Sequence, residues 1–357
     1  MRKYLPALSL ILIAPLVAEV LPGSAPITHL RVLPFIVLIY GPGALLIRDV
    51  IKVRSLGWTS IVLLGAAYGI LEEGIALQSL FNPALYNAAS WGRVGSVNVV
   101  YAEAVIPIHA IWSALVPILL TDLLFPALHR APYCGRLGRV LTGLWYLLGL
   151  LLLSLLTRLS IAPGYRADPV LIGLSAVLAL ALIIVALRVP SSPQKPFKAE
   201  NPPGPWRILL LSAGIALLWH FLLAGLWRLR PEFAFWPFML APMLISALLL
   251  LAGYRYSRQW IAMEGWTDEH WFSLATGLVI AHSLFGNIIF TNSLRSRIAT
   301  LAFGAAFLVV LYAQRSRIST GSIARVPAFS PAYRPRGETA AVSHVLQCVL
   351  PDKQHRR

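Results

Sequence analysis

The chain has 357 residues, 58% of them hydrophobic and 12% charged, with a mean hydropathy of +0.73. Length alone would suggest two or three soluble domains, but this composition excludes them, together with a secreted disulfide scaffold. The formal charge of +16 does not point to nucleic acid, because the basic residues stand singly or in twos and threes at the ends of apolar runs, where they act as topology signals. An outer-membrane barrel would need strict apolar/polar alternation, whereas stretches such as Leu147 to Leu156 are apolar on every side.

The apolar runs predict an all-α, polytopic transmembrane bundle of about ten spans, at residues 5–21, 31–47, 58–80, 101–125, 140–157, 169–188, 207–226, 236–254, 271–290 and 298–313. Each is long enough as a helix to cross roughly 30 Å of hydrocarbon. With the N-terminus inside, 22 of the 30 lysines and arginines fall on the cytoplasmic side, so the positive-inside rule predicts an N-in, C-in chain. Met1-Arg2-Lys3 and the run after it imitate a signal peptide, but Glu19 interrupts the run and no small-residue cleavage site follows, so an uncleaved first span is expected. The predicted organisation is a membrane bundle over 1–189, a Pro-rich cytoplasmic linker at 190–206, a second membrane bundle over 207–313 and a basic, disordered tail from 314 to 357. Only five of the 30 basic residues are lysine, which fits a GC-rich coding bias and a bacterial inner (plasma) membrane. Cys134 and Cys348 fall on the cytoplasmic side without C-x-x-C spacing, so neither a disulfide framework nor a zinc site is expected.

Function is to be sought where polar groups have been placed in hydrocarbon, since each is costly there. These are Glu19, Glu72, Glu73, Glu103, His109, Asp122, His220, His282 and Asn287. At about 1.5 Å rise per residue, most of them fall in the outer half of their spans, with His282 near the middle and Asp122 near the cytoplasmic end. On an α-helix Glu72 and Glu73 point about 100° apart, on faces that carry Gly65 and Gly69, so a neighbouring helix is expected to pack closely there. Adjacent carboxylates in low dielectric cannot easily both ionise, so one is expected to hold a proton while the other accepts a hydrogen bond. His109 follows Pro107, which opens its helix locally, and shares a face with Trp112 and Ser113. Glu19 is expected to pair with Arg31 or His29, and Glu103 to be a solvated helix-end charge. A Glu–His–His set could ligate a divalent ion, but no H-E-x-x-H occurs, so no metal is assigned and no cofactor is expected. Walker A and G-x-S-x-G patterns are absent as well, which leaves nucleotide hydrolysis and α/β-hydrolase chemistry without support. The outer loop after span 3, with Tyr86, Trp91 and Arg93, reads either as aromatic residues at headgroup level or as a lid.

Glu72-Glu73, then His109, then His282 near Asn287 resemble the motifs EExxxR, FxxxH and HxxxN of the CPBP family, the CAAX prenyl protease and bacteriocin-processing intramembrane proteases. Leu77 stands in the arginine place, Val105 in the phenylalanine place, and Asn287 lies one residue too far on. The resemblance implies an intramembrane hydrolase in which a glutamate activates water, with Glu72, Glu73, His109 and His282 as the catalytic candidates. Two other classes remain open: a proton-coupled carrier using the same residues as a relay, and a noncatalytic bundle that recognises another membrane protein. The expected partners are the lipid bilayer and a membrane-embedded peptide or small-molecule substrate, and no nucleic acid.

Overall fold

The structure is a computed structural model that describes residues 4–190, 201–291 and 293–320. Its helices are α1 (Leu5–Val20), α2 (Leu33–Val53), α3 (Trp58–Ala76), α4 (Val99–Leu124), α5 (Arg136–Ile161), α6 (Pro169–Arg188), α7 (Pro205–Leu229), α8 (Leu240–Ile261), α9 (Asp268–Phe290) and α10 (Leu294–Thr320). Among the described residues nine of these are long and apolar enough to cross a membrane, and α1 is a shorter apolar helix. They match the ten expected spans one for one. A two-residue hairpin, β1 (Arg93–Val94) with β2 (Val97–Asn98), lies in the loop after α3. The middle of the expected linker and the expected tail from residue 321 on, with Cys348, lie outside the described residues, whereas residues 314–320, expected to be disordered, continue helix α10.

Local sequence explains half of the helix starts. Prolines occupy the first turns of α1, α2, α6 and α7, where a missing N–H costs nothing. Helix α9 begins at Thr267, whose side chain and that of His270 form a reciprocal cap, with Asp268 and Glu269 at the positive end of the helix dipole. Helix α2 runs further than its apolar run predicts. The expected span ends at Ile47, whereas the helix continues through Arg48 to Val53.

That extension has a physical cause. Arg48 is fully buried, with its Nε 2.7 Å from Asp122 Oδ1 on α4 and Nη1 3.3 Å from Asp49 Oδ1. Lys52 Nζ lies 2.8 Å from Asp122 Oδ2, and the guanidinium also donates to the carbonyls of Ala131 and Leu128. Asp49 in turn accepts the N–H groups of Tyr133 and Cys134, each at 2.8 Å. Two cations and two carboxylates thus close this end of the bundle as a charge-balanced set, and Asp122 belongs to it rather than to the cluster of glutamates and His109.

This arrangement makes an accessible prediction for Cys134, in the loop between α4 and α5. Burial pushes its thiol pKa up, and the neighbouring Asp49 carboxylate adds to the effect. A raised pKa means less thiolate at pH 7, so in a Cys348→Ser background Cys134 is expected to react with a membrane-impermeant maleimide more slowly than free cysteine, from the cytoplasmic side only. The rate should climb as pH rises; labelling from the outside would contradict the N-in reading.

The opposite end is closed by loops. Gln78 accepts the Ala167 N–H at 2.9 Å, and Gly92 N–H donates to Ala234 O at 2.7 Å, so the loops after α3, α5 and α7 meet there. Asn98 is buried and donates to Ser79 O and Asn82 O while accepting from Arg93. Trp91 is buried and stacks on Trp227 with ring centroids 5.4 Å apart, so it packs into the end of the bundle; Tyr86 is exposed. The core lies around α4, α7 and α9, where Trp112, Trp219 and Trp271 are the largest fully buried side chains. Helices from both sides of the expected linker therefore meet at the centre.

Candidate functional site

Among the described residues five segments wind as π turns: Leu16–Val20, Leu71–Ala76, His109–Leu115, Thr157–Ile161 and Phe221–Gly225. Glu19, Glu72, Glu73 and His109 lie on three of them, and His220 directly precedes a fourth. Looser winding, shown by Leu77 N–H donating to Glu72 O at 2.8 Å, narrows the angle between consecutive side chains. Glu72 and Glu73 therefore face the same imidazole, where α-helical spacing would separate them. Close packing helps: a Cβ on Gly69 would lie 2.9 Å from His109 Cβ, and one on Gly65 2.7 Å from Ala110 Cα.

This contact yields a prediction. Gly69→Ala is expected to push α3 off His109 and to destabilise the protein by about 1–3 kcal/mol, the usual range for overpacking. Gly173→Ala, with no atom within 4 Å, is the control and should be neutral or slightly stabilising. Thermal unfolding in detergent compares the two; equal behaviour would remove the packing argument.

Glu72, Glu73 and His109 are all buried. His109 Nε2 lies 3.0 Å from Glu73 Oε1, and its Nδ1 is 3.2 Å from Ser113 Oγ and 3.8 Å from Glu72 Oε2. The other Glu73 oxygen accepts from the Tyr101 hydroxyl at 3.0 Å and from Ser79. Glu72 Oε1 accepts from Tyr40 at 3.1 Å, while Glu72 Oε2 is buried without a hydrogen-bond partner. Glu73 is thus saturated and fixes the imidazole, whereas Glu72 Oε2 is left with only a longer contact to the same ring. One donor atom from each of Glu72, Glu73 and His109 lies within 4.8 Å of the other two, so this trio, and not a Glu–His–His set, has the spacing to hold a divalent cation.

Glu19 joins the site through a contact that sequence reasoning missed. Instead of pairing with Arg31, it accepts from Ser24 at 2.5 Å, and the Tyr40 hydroxyl lies 2.5 Å from its Oε1. The His29 side chain lies outside the described residues. Tyr40 bridges Glu19 and Glu72, and nothing in the spacing of α1 and α2 announces a tyrosine between two carboxyl groups. Glu103, expected to be solvated, is half-buried and bonded to Ser246 of α8.

His282 stands apart from the trio. Its Nδ1 lies 3.2 Å from His220 Nε2 and its Nε2 3.5 Å from Ala18 O, and its ring stacks on Trp112 at 4.7 Å. Its two ring nitrogens are directed at these groups and not at Glu72, Glu73 or His109; the link to the trio runs through Trp112, three residues along the π turn from His109. Asn287 is further away in bonding terms, donating to Arg297 O and accepting from Thr291, where it joins α9 to α10.

Apolar spans closed at both ends by polar networks, with ionisable groups gathered inside, define an integral, multi-pass α-helical membrane protein. A family model described as "Uncharacterized membrane protein family" matches residues 8–341, and the chain belongs to that family. No curated protein and no solved structure matches it.

Proposed function

We propose that Glu72, Glu73 and His109 form the active site of a membrane-embedded hydrolase. The observation that carries this reading is the buried, unpartnered Glu72 Oε2, 3.8 Å from an imidazole whose other nitrogen is held by Glu73 at 3.0 Å. A carboxylate with a free lone pair beside an oriented imidazole is suited to general-base work. Glu72 Oε2 takes a proton from water, the hydroxide adds to a carbonyl carbon, and Glu72 returns the proton to the leaving group. His109, oriented by Glu73, stabilises the oxyanion of the tetrahedral intermediate. His282 is a positioning residue that acts through Trp112. The resemblance of Glu72-Glu73, His109 and His282 to the CPBP motifs supports the same division of labour, although Asn287, engaged with Thr291, does not supply the oxyanion donor.

The test is product formation by the full chain reconstituted in vesicles of extracted bacterial lipid and membrane peptides, with mass spectrometry of the released carboxylic acids. Wild type is expected to release acids that Glu72→Gln does not. Identical product lists would end the hydrolase reading. Loss of activity on chelation, regained with a divalent ion, would assign the trio to a metal-bound water instead.

A second reading rests on a separate observation. Exposed Ser24, Glu19, Tyr40 and Glu72 form an unbroken chain from the outer loop to the site, at 2.5, 2.5 and 3.1 Å. Such a chain suits proton transfer in a proton-coupled carrier, and pH-driven flux abolished by Tyr40→Phe, with no chemical product, would favour it.

A further inference from the structure

A cleft of about 210 Å³ lies between α2, α3, α5 and α6, with Leu46, Val50, Leu64, Leu71 and Ile183 along its walls. All four helices are membrane spans, and several of these side chains are only partly buried, so the cleft opens toward lipid. Among the described residues its polar lining is Tyr68 and Tyr146, whose hydroxyls are buried, that of Tyr146 without a hydrogen-bond partner. An unpartnered hydroxyl in hydrocarbon is expensive, and a bilayer offers no water to satisfy it. The two rings stack at 5.5 Å, and the Tyr68 ring packs 5.3 Å from that of His109. The Tyr68 hydroxyl faces the Glu72 carboxyl group, near enough to interact with it. Gly43 gives Tyr68 its place, because a Cβ there would lie 2.5 Å from the tyrosine ring. The cleft therefore leads from the bilayer to the candidate site and ends on two tyrosine hydroxyls near Glu72.

Its lining selects the occupant: aliphatic side chains along the walls suit a hydrocarbon chain, and the two tyrosine hydroxyls suit a carbonyl group. We infer that the substrate is a fatty-acyl ester or amide, its chain lying in this cleft and its carbonyl oxygen accepting from Tyr68 and Tyr146. This inference rests on the hydrolase reading and names its substrate class. Water adds to the carbonyl carbon as Glu72 takes its proton, the tyrosines donate to the oxyanion in the place left empty by Asn287, and the bond to the alkoxy or amino group breaks as that proton returns. The products are a fatty acid and an alcohol or amine.

The experiment uses the full chain in nanodiscs and a fluorescent dodecanoyl ester as probe, reading saturable binding and fatty-acid release separately. Wild type is expected to bind saturably. Val50→Trp, which fills the cleft from α2, should weaken binding at least tenfold, and Leu46→Trp does the same should Val50→Trp fail to fold. Tyr68→Phe and Tyr146→Phe keep the ring packing and should weaken binding severalfold. Glu72→Gln should bind the ester unchanged and release no acid. Saturable, Trp-sensitive binding with no acid released by wild type would overturn the hydrolase reading while leaving the acyl-chain site standing. Binding that is unsaturable or indifferent to both Trp variants would overturn the cleft assignment, whatever the turnover.

Discussion

Glu72→Gln is expected to lower hydrolysis by about 10²–10⁴-fold, the usual contribution of a positioned general base. The substitution keeps the shape of the side chain and its contact with Tyr40, but the amide cannot take a proton from water. Stability is expected to fall only modestly, because Glu72 Oε2 has no hydrogen-bond partner and loses only its 3.8 Å ion pair with His109. Glu73→Gln should behave differently. It disturbs contacts to His109, Tyr101 and Ser79 together, so lost activity should come with a lower Tm. Comparing kcat and Tm for the two variants separates a reacting carboxylate from an orienting one; equal losses of both would contradict the assignment of roles.

The largest effect on stability is expected at the other end of the molecule. Asp122→Asn leaves Arg48 and Lys52 buried against Asp49 alone, and breaking a buried ion pair by removing one partner typically costs about 3–5 kcal/mol. For a protein of marginal stability that is enough to prevent recovery of folded material. Charge balance gives the diagnostic control: Asp122→Asn with Lys52→Met restores one cation to one carboxylate, and most of the lost stability should return. Thermal unfolding in detergent reads both variants. A single variant within about 1 kcal/mol of wild type, the range of exposed pairs, would show that the network is not the clasp described here.

The spans are legible in the sequence because apolar runs of sufficient length have few alternatives in a chain of this composition. Their ends are less so. The predicted α2 stops at residue 47 because a charge usually marks the interface, whereas Arg48 is buried by partners on α4 and its following loop that no local pattern reveals. Glu72, Glu73 and His109 stand out as ionisable residues in hydrocarbon, and the structure brings those three together. His282 stands out for the same reason and lies instead against His220, a pairing between α9 and α7 that depends on how the helices rotate against each other. The π turns are invisible to a reading at α-helical spacing, and they are what turns both carboxylates toward one imidazole. Tyr40, Tyr68 and Tyr146 escape such a reading too, since tyrosine in a span passes for an ordinary aromatic; only an orphaned or bridging hydroxyl distinguishes it.

The most direct test of the central claim is the fate of the oxygen of water. Full-length protein in nanodiscs, supplied with the dodecanoyl ester in H₂¹⁸O, is expected to place one ¹⁸O in each released carboxylic acid, and Glu72→Gln to release none above an empty nanodisc. Wild-type release no greater than that of Glu72→Gln would contradict the assignment of Glu72 as the base of a hydrolase.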